Sequence, residues 1–255
     1  MKPKPEHTDF QKQIVFLCGT PRAGTSALTN MLNKHPEVFI GMERFHNIIV
    51  SRQLKKEHFD CNRFINIIPG DTHKFGGLNK QGEALLNCNK AKVLGEKFPK
   101  LFQHYDYIFN EFPVAQLVYI IRNPLSVAES YEFRANDVDD IWPKWQNYLV
   151  AIKDWNESVQ TTLNLIQKLG TKQICLVEYE TIFSDYNSIQ KVFQFLDVHE
   201  LPNDVLKQFF DKYEKLKYTM TPKRDDIRLS VAKKIDWNAY NQLLTEKNGS
   251  QALSF

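Results

Sequence analysis

Val15–Pro36 reads VFLCGTPRAGTSALTNMLNKHP. With Ile14 it begins as IVFLC, a short unbroken apolar run of the kind found in a parallel strand buried on both faces. Gly19–Gly24 follows as a glycine-bearing loop, and Ala27, Leu28, Met31 and Leu32 then recur at helical spacing until Pro36 limits the helix. Thr25 or Ser26 is the expected N-cap. Strand, glycine loop and helix in that order form the context of a phosphate cradle, whose common pattern G-x-x-x-x-G-K-[ST] carries a lysine for the β- and γ-phosphates. Here Thr25 stands in the place of that lysine, Ser26 follows it, and an arginine, Arg22, lies inside the loop.

These departures bear on the ligand. A loop feeding a helix offers backbone N–H groups and the positive end of the helix dipole to any anion. A nucleoside triphosphate arrives with a metal ion, so its enzymes need the lysine and a metal-holding aspartate as well. The next buried strand, Gln116–Ile121 (QLVYII), ends in Arg122 and Asn123 rather than in an aspartate. N–H donors, hydroxyls and guanidinium groups suit a less charged ligand, such as a 5′-phosphosulfate, without a metal.

A third strand, QICLVEY (Gln173–Tyr179), follows a long amphipathic stretch, Trp142–Leu169. Helical periodicity also marks Leu125–Glu132, Ile189–Leu196 and Val205–Leu216. Alternating strands and helices predict an α/β fold, a three-layer sandwich with a central, mainly parallel sheet and a P-loop-like phosphate-binding loop. Ligands of such sheets sit beyond the carboxyl ends of the strands, where Gly19–Ser26, Arg122 and Tyr179 all fall. The chain of 255 residues is expected to form a single domain, with the irregular, polar segment 45–91 as an insertion capping the acceptor side. The aromatic stretch Ile141–Trp155 reads as helical core packing rather than a stacking surface.

Composition narrows the function classes. A formal charge of +3 suits a small anionic ligand and is well short of the basic excess of a nucleic-acid binder. Cys18, Cys61, Cys88 and Cys175 show no C-x-x-C pair and no cluster with histidine, which reads as scattered reduced thiols in a cytoplasmic protein. The polar start MKPKPEHTDFQKQ lacks the apolar core of a signal peptide, and no apolar run is long enough to span a membrane. The sequons at Asn156 and Asn248 read as chance matches.

GTPRAGTS resembles the loop G-x-P-R-[SA]-G-T-[TS] of the sulfotransferases that use 3′-phosphoadenosine 5′-phosphosulfate (PAPS), above all their tyrosylprotein and bacterial branches. The resemblance continues through LTNMLNKHPEVFIGME and recurs at LGEKFPKL, LVYIIRNPLSVAES and VEYETIF, while segment 45–91 and the C-terminal third match poorly. It implies a metal-independent transferase with PAPS as co-substrate and the bisphosphate PAP as product. Pro21, Arg22, Ala23, Gly24, Thr25 and Ser26 would then cradle the 5′ side of the cofactor. Arg122 and Ser130 would take the 3′-phosphate, with Ser126 the competitor for the serine. Tyr179 would contact the nucleotide, and Lys233 would close on the 3′-phosphate, with Lys234 or Arg228 as alternatives.

The same resemblance makes Glu43 the general base, with His46 the rival three residues on, and points Lys97 and Arg22 at the leaving oxygen. His35, at the helix exit before Pro36, reads as structural. The acceptor is expected to be a small molecule or glycan, with no nucleic-acid partner. A P-loop kinase or NTPase with an atypical loop, and a non-catalytic nucleotide-binding module, are the competing readings.

Overall fold

The computed structural model describes residues 12–73, 81–217 and 224–252. The chain runs β1 (Gln13–Cys18), α1 (Thr25–Leu32), β2 (Val38–Met42), α2 (His46–Val50), α3 (Cys61–Ile65), α4 (Gln81–Lys90) and β3 (Val93–Lys97). It continues through α5 (Tyr105–Glu111), β4 (Gln116–Ile121), α6 (Pro124–Asn136), α7 (Tyr148–Leu169), β5 (Ile174–Glu178) and α8 (Tyr179–Ile182). Helices α9 (Tyr186–Phe195), α10 (Asn203–Lys217), α11 (Asp225–Lys234) and α12 (Trp237–Ala252) complete it. The five strands form one all-parallel sheet in the order β2-β3-β1-β4-β5.

Alternation along the strands builds the three layers. On β1, Val15 and Leu17 face a core made with α1, α8, α9 and α10, while Phe16 and Cys18 face the opposite core. That second core is larger and takes in side chains from α2 to α7, α11 and α12. A period of two in side-chain direction with apolar residues at both phases is what a doubly covered strand requires. Phe16 sits edge-on between Phe59 and Phe112, at 6.0 and 5.5 Å between ring centroids, which anchors segment 45–91 to the sheet.

Several expectations change here. The N-cap of α1 is Gly24, in a left-handed conformation (φ 100°) with no capping side chain, and Thr25 is the first helical residue. Residues 141–147 are not helical. Asn147 caps α7 through hydrogen bonds from Leu149 N and Val150 N, and Pro143 lies just before it. Released from helical phase, Ile141 and Trp145 are exposed (97% and 66%), whereas Trp155 is buried as core. Segment 45–91 contributes α2, α3 and α4, and its Phe45, Ile49, Leu54, Phe59 and Phe64 are buried.

The cysteine reading is overturned: Cys61 and Cys88 form a disulfide between α3 and α4, leaving Cys18 and Cys175 free among the described residues. The pairing spans 27 residues, a spacing that carries no sequence signal. No helix among the described residues is long and apolar enough to cross a membrane. The N-terminal stretch 1–11 and the side chain of Asn248 lie outside the described residues. Asn156, on α7, donates through its amide to Lys234 O (2.8 Å) and accepts from Asp236 N (3.0 Å), tying α7 to the α11–α12 corner.

Candidate active site

The loop leaves β1 at its carboxyl end, between β3 and β4. Gly24 has two separate reasons to be glycine. Its φ of 100° is one few side chains tolerate, and a Cβ there would lie 2.5 Å from the Tyr179 ring. Gly19 packs so closely on β4 that a Cβ would meet Ile120 O at 2.2 Å. Arg22 also has a left-handed backbone (φ 70°), which turns its side chain across to α6. There its Nε donates to Ser130 Oγ at 3.0 Å.

Register explains how Arg122 joins this group. Ile121 pairs with Glu178 across β4 and β5, so Arg122 and Tyr179, one step beyond, emerge side by side. The Arg122 guanidinium lies over the Tyr179 ring, 4.2 Å from its centroid, and Nη1 donates to Arg22 O at 2.9 Å. The Trp155 indole donates to Arg122 O at 3.0 Å and fixes the strand exit from below. Arg122 Nε is buried with no hydrogen-bond partner among the described residues. Arg22 is pushed below its ordinary pKa by desolvation, with the charges of Arg134 and Arg122 acting in the same direction. Arg134 is already paired with Asp140 at 2.5 Å, which leaves Arg22 and Arg122, joined through the Arg22 carbonyl and one with an unsatisfied donor, to fit an anion.

The other half of the site lies across β1. Met42 pairs with Lys97 between β2 and β3, so the next residue, Glu43, leaves the sheet beside the end of β3. Glu43 N donates to Lys97 O at 2.8 Å, and Lys97 Nζ donates to Glu43 Oε1 at 2.6 Å. Lys97 is 1% exposed, a buried ammonium facing a carboxylate. Glu43 is left-handed (φ 56°), and Thr72 Oγ1 donates to its carbonyl at 2.8 Å.

His46 begins α2; its ring lies 4.2 Å from His73 and 5.1 Å from Phe98. His73 Nε2 is 4.0 Å from Glu43 Oε2. Ligand atoms of Glu43, His46 and His73 lie within 4.8 Å of one another. Donors around a tetrahedral zinc ion stand about 3.3 Å apart, so a metal there would require the three to close in and to share Glu43 with Lys97.

The structure thus brings Arg22, Gly24, Arg122, Ser130 and Tyr179 into one group and Glu43 and Lys97 into another. Ser130, rather than Ser126, meets the loop arginine. Pro21 is half-buried in the loop, Ala23 is buried beneath it, and Ser26 is exposed at the start of α1. Lys233 and Lys234 are exposed in the last turn of α11, and neither makes a hydrogen bond or ion pair to the loop among the described residues. Arg228 Nη1 stands 4.0 Å from Asp225, with its Nε buried and unpartnered among the described residues. His35 is structural: its Nδ1 accepts from Glu37 N and its Nε2 donates to His199 O at 2.8 Å.

Sequence reasoning missed Thr72 and His73, which reach Glu43 from segment 45–91. It also missed the buried Arg44–Asp71 ion pair (2.6 Å) beside them. None of these stands in a motif.

The sulfotransferase family model matches residues 14–202 of the chain, well over half its length. This chain belongs to the sulfotransferase family. Among curated relatives, this chain is 24% identical over 193 residues to protein-tyrosine sulfotransferase A of Caenorhabditis elegans, covering 72% of this chain and 50% of that one. To the Drosophila melanogaster protein-tyrosine sulfotransferase it is 21% identical over 197 residues, covering 72% and 38%. The chain therefore spans half or less of these relatives. Its fold is similar to the sulfotransferase domain from the curacin biosynthetic pathway, with a TM-score of 0.53, 21% identity and 78% of each chain covered.

Proposed function

We propose that this sulfotransferase moves the sulfuryl group of PAPS to a hydroxyl or amine of an acceptor by in-line displacement, without a metal ion. The acceptor proton passes to the Glu43 carboxylate as the acceptor atom bonds to sulfur. The bond from sulfur to the bridging oxygen breaks, and PAP leaves with that electron pair. The observation that carries this reading is the Lys97–Glu43 contact at 2.6 Å, which sets a base and a cation together at the strand ends next to an anion-binding loop.

Each part of the chain has a task in it. The uncapped start of α1 and residues Pro21–Ser26 would hold the 5′ side, because a helix N-terminus without a capping side chain offers its N–H groups to an anion. Arg122 and Ser130 would take the 3′-phosphate, to which the unpartnered Arg122 Nε is suited, with Lys233 or Arg228 closing from α11. Tyr179 supports the arginine and bounds the nucleotide space. Lys97 would stabilise charge on the leaving oxygen, and Arg22, which donates to Ser130 in this structure, would turn from that serine to share the task. Glu43 is taken as the base, with its Oε1 held 2.6 Å from Lys97 Nζ at the strand ends, and His46 remains its rival.

The acceptor stays within the class of hydroxyl- or amine-bearing small molecules, glycans and peptides. The curated relatives named for protein tyrosine bring a phenolic hydroxyl into that range. The Cys61–Cys88 disulfide removes the thiol argument for a cytoplasmic location.

Titration calorimetry with PAP against ATP tests the cofactor: PAP is expected to bind more tightly in the presence of EDTA, and equal or tighter ATP binding would overturn the reading in favour of a nucleotide kinase. Incubation with labelled PAPS and a mixed acceptor panel then tests transfer. PAP binding without transfer to any acceptor, in that panel or in a host cell extract incubated in the same way, would leave a nucleotide-binding module.

A further inference from the structure

Glu96, next to Lys97 on β3, is wholly buried and has no place in the chemistry above. It points away from Lys97, toward β2, where Gly41 is its register partner. A Cβ at Gly41 would lie 2.7 Å from Glu96 Oε2 and 3.0 Å from both Arg44 Cβ and the Phe64 ring, so the carboxyl group fills the space that a side chain at 41 would need. Oε1 accepts a hydrogen bond from Phe45 N at 3.2 Å. The carboxyl thus reaches past the end of β2 into the turn that carries Glu43.

That turn needs holding. A left-handed conformation is strained for an L-residue other than glycine, and Glu43 adopts it. Glu43 N and O are fixed by Lys97 O and Thr72 Oγ1. Two residues on, Glu96 is the side chain that fixes the backbone. The same strand therefore supplies Lys97 to the Glu43 side chain and Glu96 to the Glu43 turn, from adjacent residues on opposite faces.

We infer that Glu96 is a positioning residue for sulfuryl transfer: its carboxyl oxygen, seated in the space left by Gly41, locks the left-handed turn that aims Glu43 at Lys97. The inference rests on the reading of Glu43 as base. The role asks only for a hydrogen-bond acceptor, not for a charge. Burial raises the Glu96 pKa to about 8 against the opposing pull of Phe45 N–H, Lys97 and Arg44, which suits a group acting as a neutral acid.

The test is steady-state transfer from PAPS, with the PAP dissociation constant as a measure of an intact cofactor site. Glu96→Gln, which keeps the acceptor oxygen, should retain kcat within about threefold, and Glu96→Ala should lose at least about tenfold in kcat with PAP affinity unchanged. Gly41→Ala, which displaces the carboxyl without removing it, should lower kcat in the same way and serves if Glu96→Ala does not fold. Against a Glu43→Gln background, Glu96→Ala should add nothing to the loss. Unchanged kcat in Glu96→Ala or Gly41→Ala, a Gln variant as impaired as the Ala variant, or full additivity with Glu43→Gln would overturn the inference. An active Glu43→Gln enzyme would instead overturn the base assignment itself.

Discussion

Arg122 lies over the Tyr179 ring at 4.2 Å while its Nη1 holds the carbonyl of Arg22 at 2.9 Å. One guanidinium therefore braces the phosphate loop and, through its buried Nε, keeps a donor in reserve. Arg122→Ala is expected to weaken PAP binding by about 10- to 100-fold, the worth of a charge-assisted phosphate contact. Arg122→Lys should recover little, because an ammonium reproduces neither the planar stacking nor the fork. Calorimetry with PAP measures both, and an unchanged dissociation constant in Arg122→Ala would remove it from the 3′-phosphate site.

Glu43 and Lys97 should act on turnover rather than on cofactor affinity. Glu43→Gln and Lys97→Met are each expected to cost on the order of 10²-fold or more in kcat with PAP binding retained. His46→Ala should keep most of the activity. The reverse pattern, with His46→Ala inactive and Glu43→Gln active, would transfer the role of base to His46.

Gly24→Ala should damage the loop twice over. The backbone penalty of a left-handed alanine, about 1–2 kcal/mol, adds to the collision with Tyr179. Thermal denaturation is expected to show a lowered Tm together with weakened PAP binding. Adding Tyr179→Ala should restore only part of the loss, since it relieves the collision and leaves the backbone strain.

The Cys61–Cys88 bridge closes a long loop, and its removal by Cys61→Ser with Cys88→Ser should cost about 3–4 kcal/mol in the chain-entropy picture. Denaturant unfolding with and without reductant measures that difference in the wild type. Mass shifts after alkylation of the unreduced protein should count two free thiols, and four would disprove the bridge.

Acid should attack the Arg44–Asp71–Arg63 cluster. Burial pushes the Asp71 carboxyl up, but hydrogen bonds from Arg63 and Arg44 outweigh it and bring it down to about 2. A pKa depressed by folding contributes stability in full above the ordinary carboxylate value, and that stability is lost as pH falls through about 2. Urea midpoints for the wild type should therefore drop below pH 4. Asp71→Asn, expected to cost about 3 kcal/mol at pH 7 by stranding two arginines, should differ from the wild type less and less as the acid limit is approached.

What the sequence revealed followed burial. Strands β1, β4 and β5 are unbroken apolar runs because both faces are covered, and each is legible alone. Strands β2 (VFIGM) and β3 (VLGEK) are not, because each gives part of its length to glycine, and β3 also to charges that serve the site. Gly95 illustrates the trade: a Cβ there would come within 2.6 Å of Val15, so close strand packing replaces a strand-forming side chain. Glu43 and Lys97 were found through resemblance alone, since their contact depends on the Met42–Lys97 register, which local spacing does not encode. Thr72, His73 and Asp71 come from a stretch with no periodicity, and only tertiary folding brings them to the site.

The Asn156 amide joins α7 to the corner before α12 through both of its polar ends. An oligosaccharide attached there would have to take the nitrogen that already donates to Lys234, from the middle of a helix whose next turns are buried. Should this chain meet the glycosylation machinery after folding, that sequon will stay bare, and a sugar found on it would mean that modification came before α7 had docked.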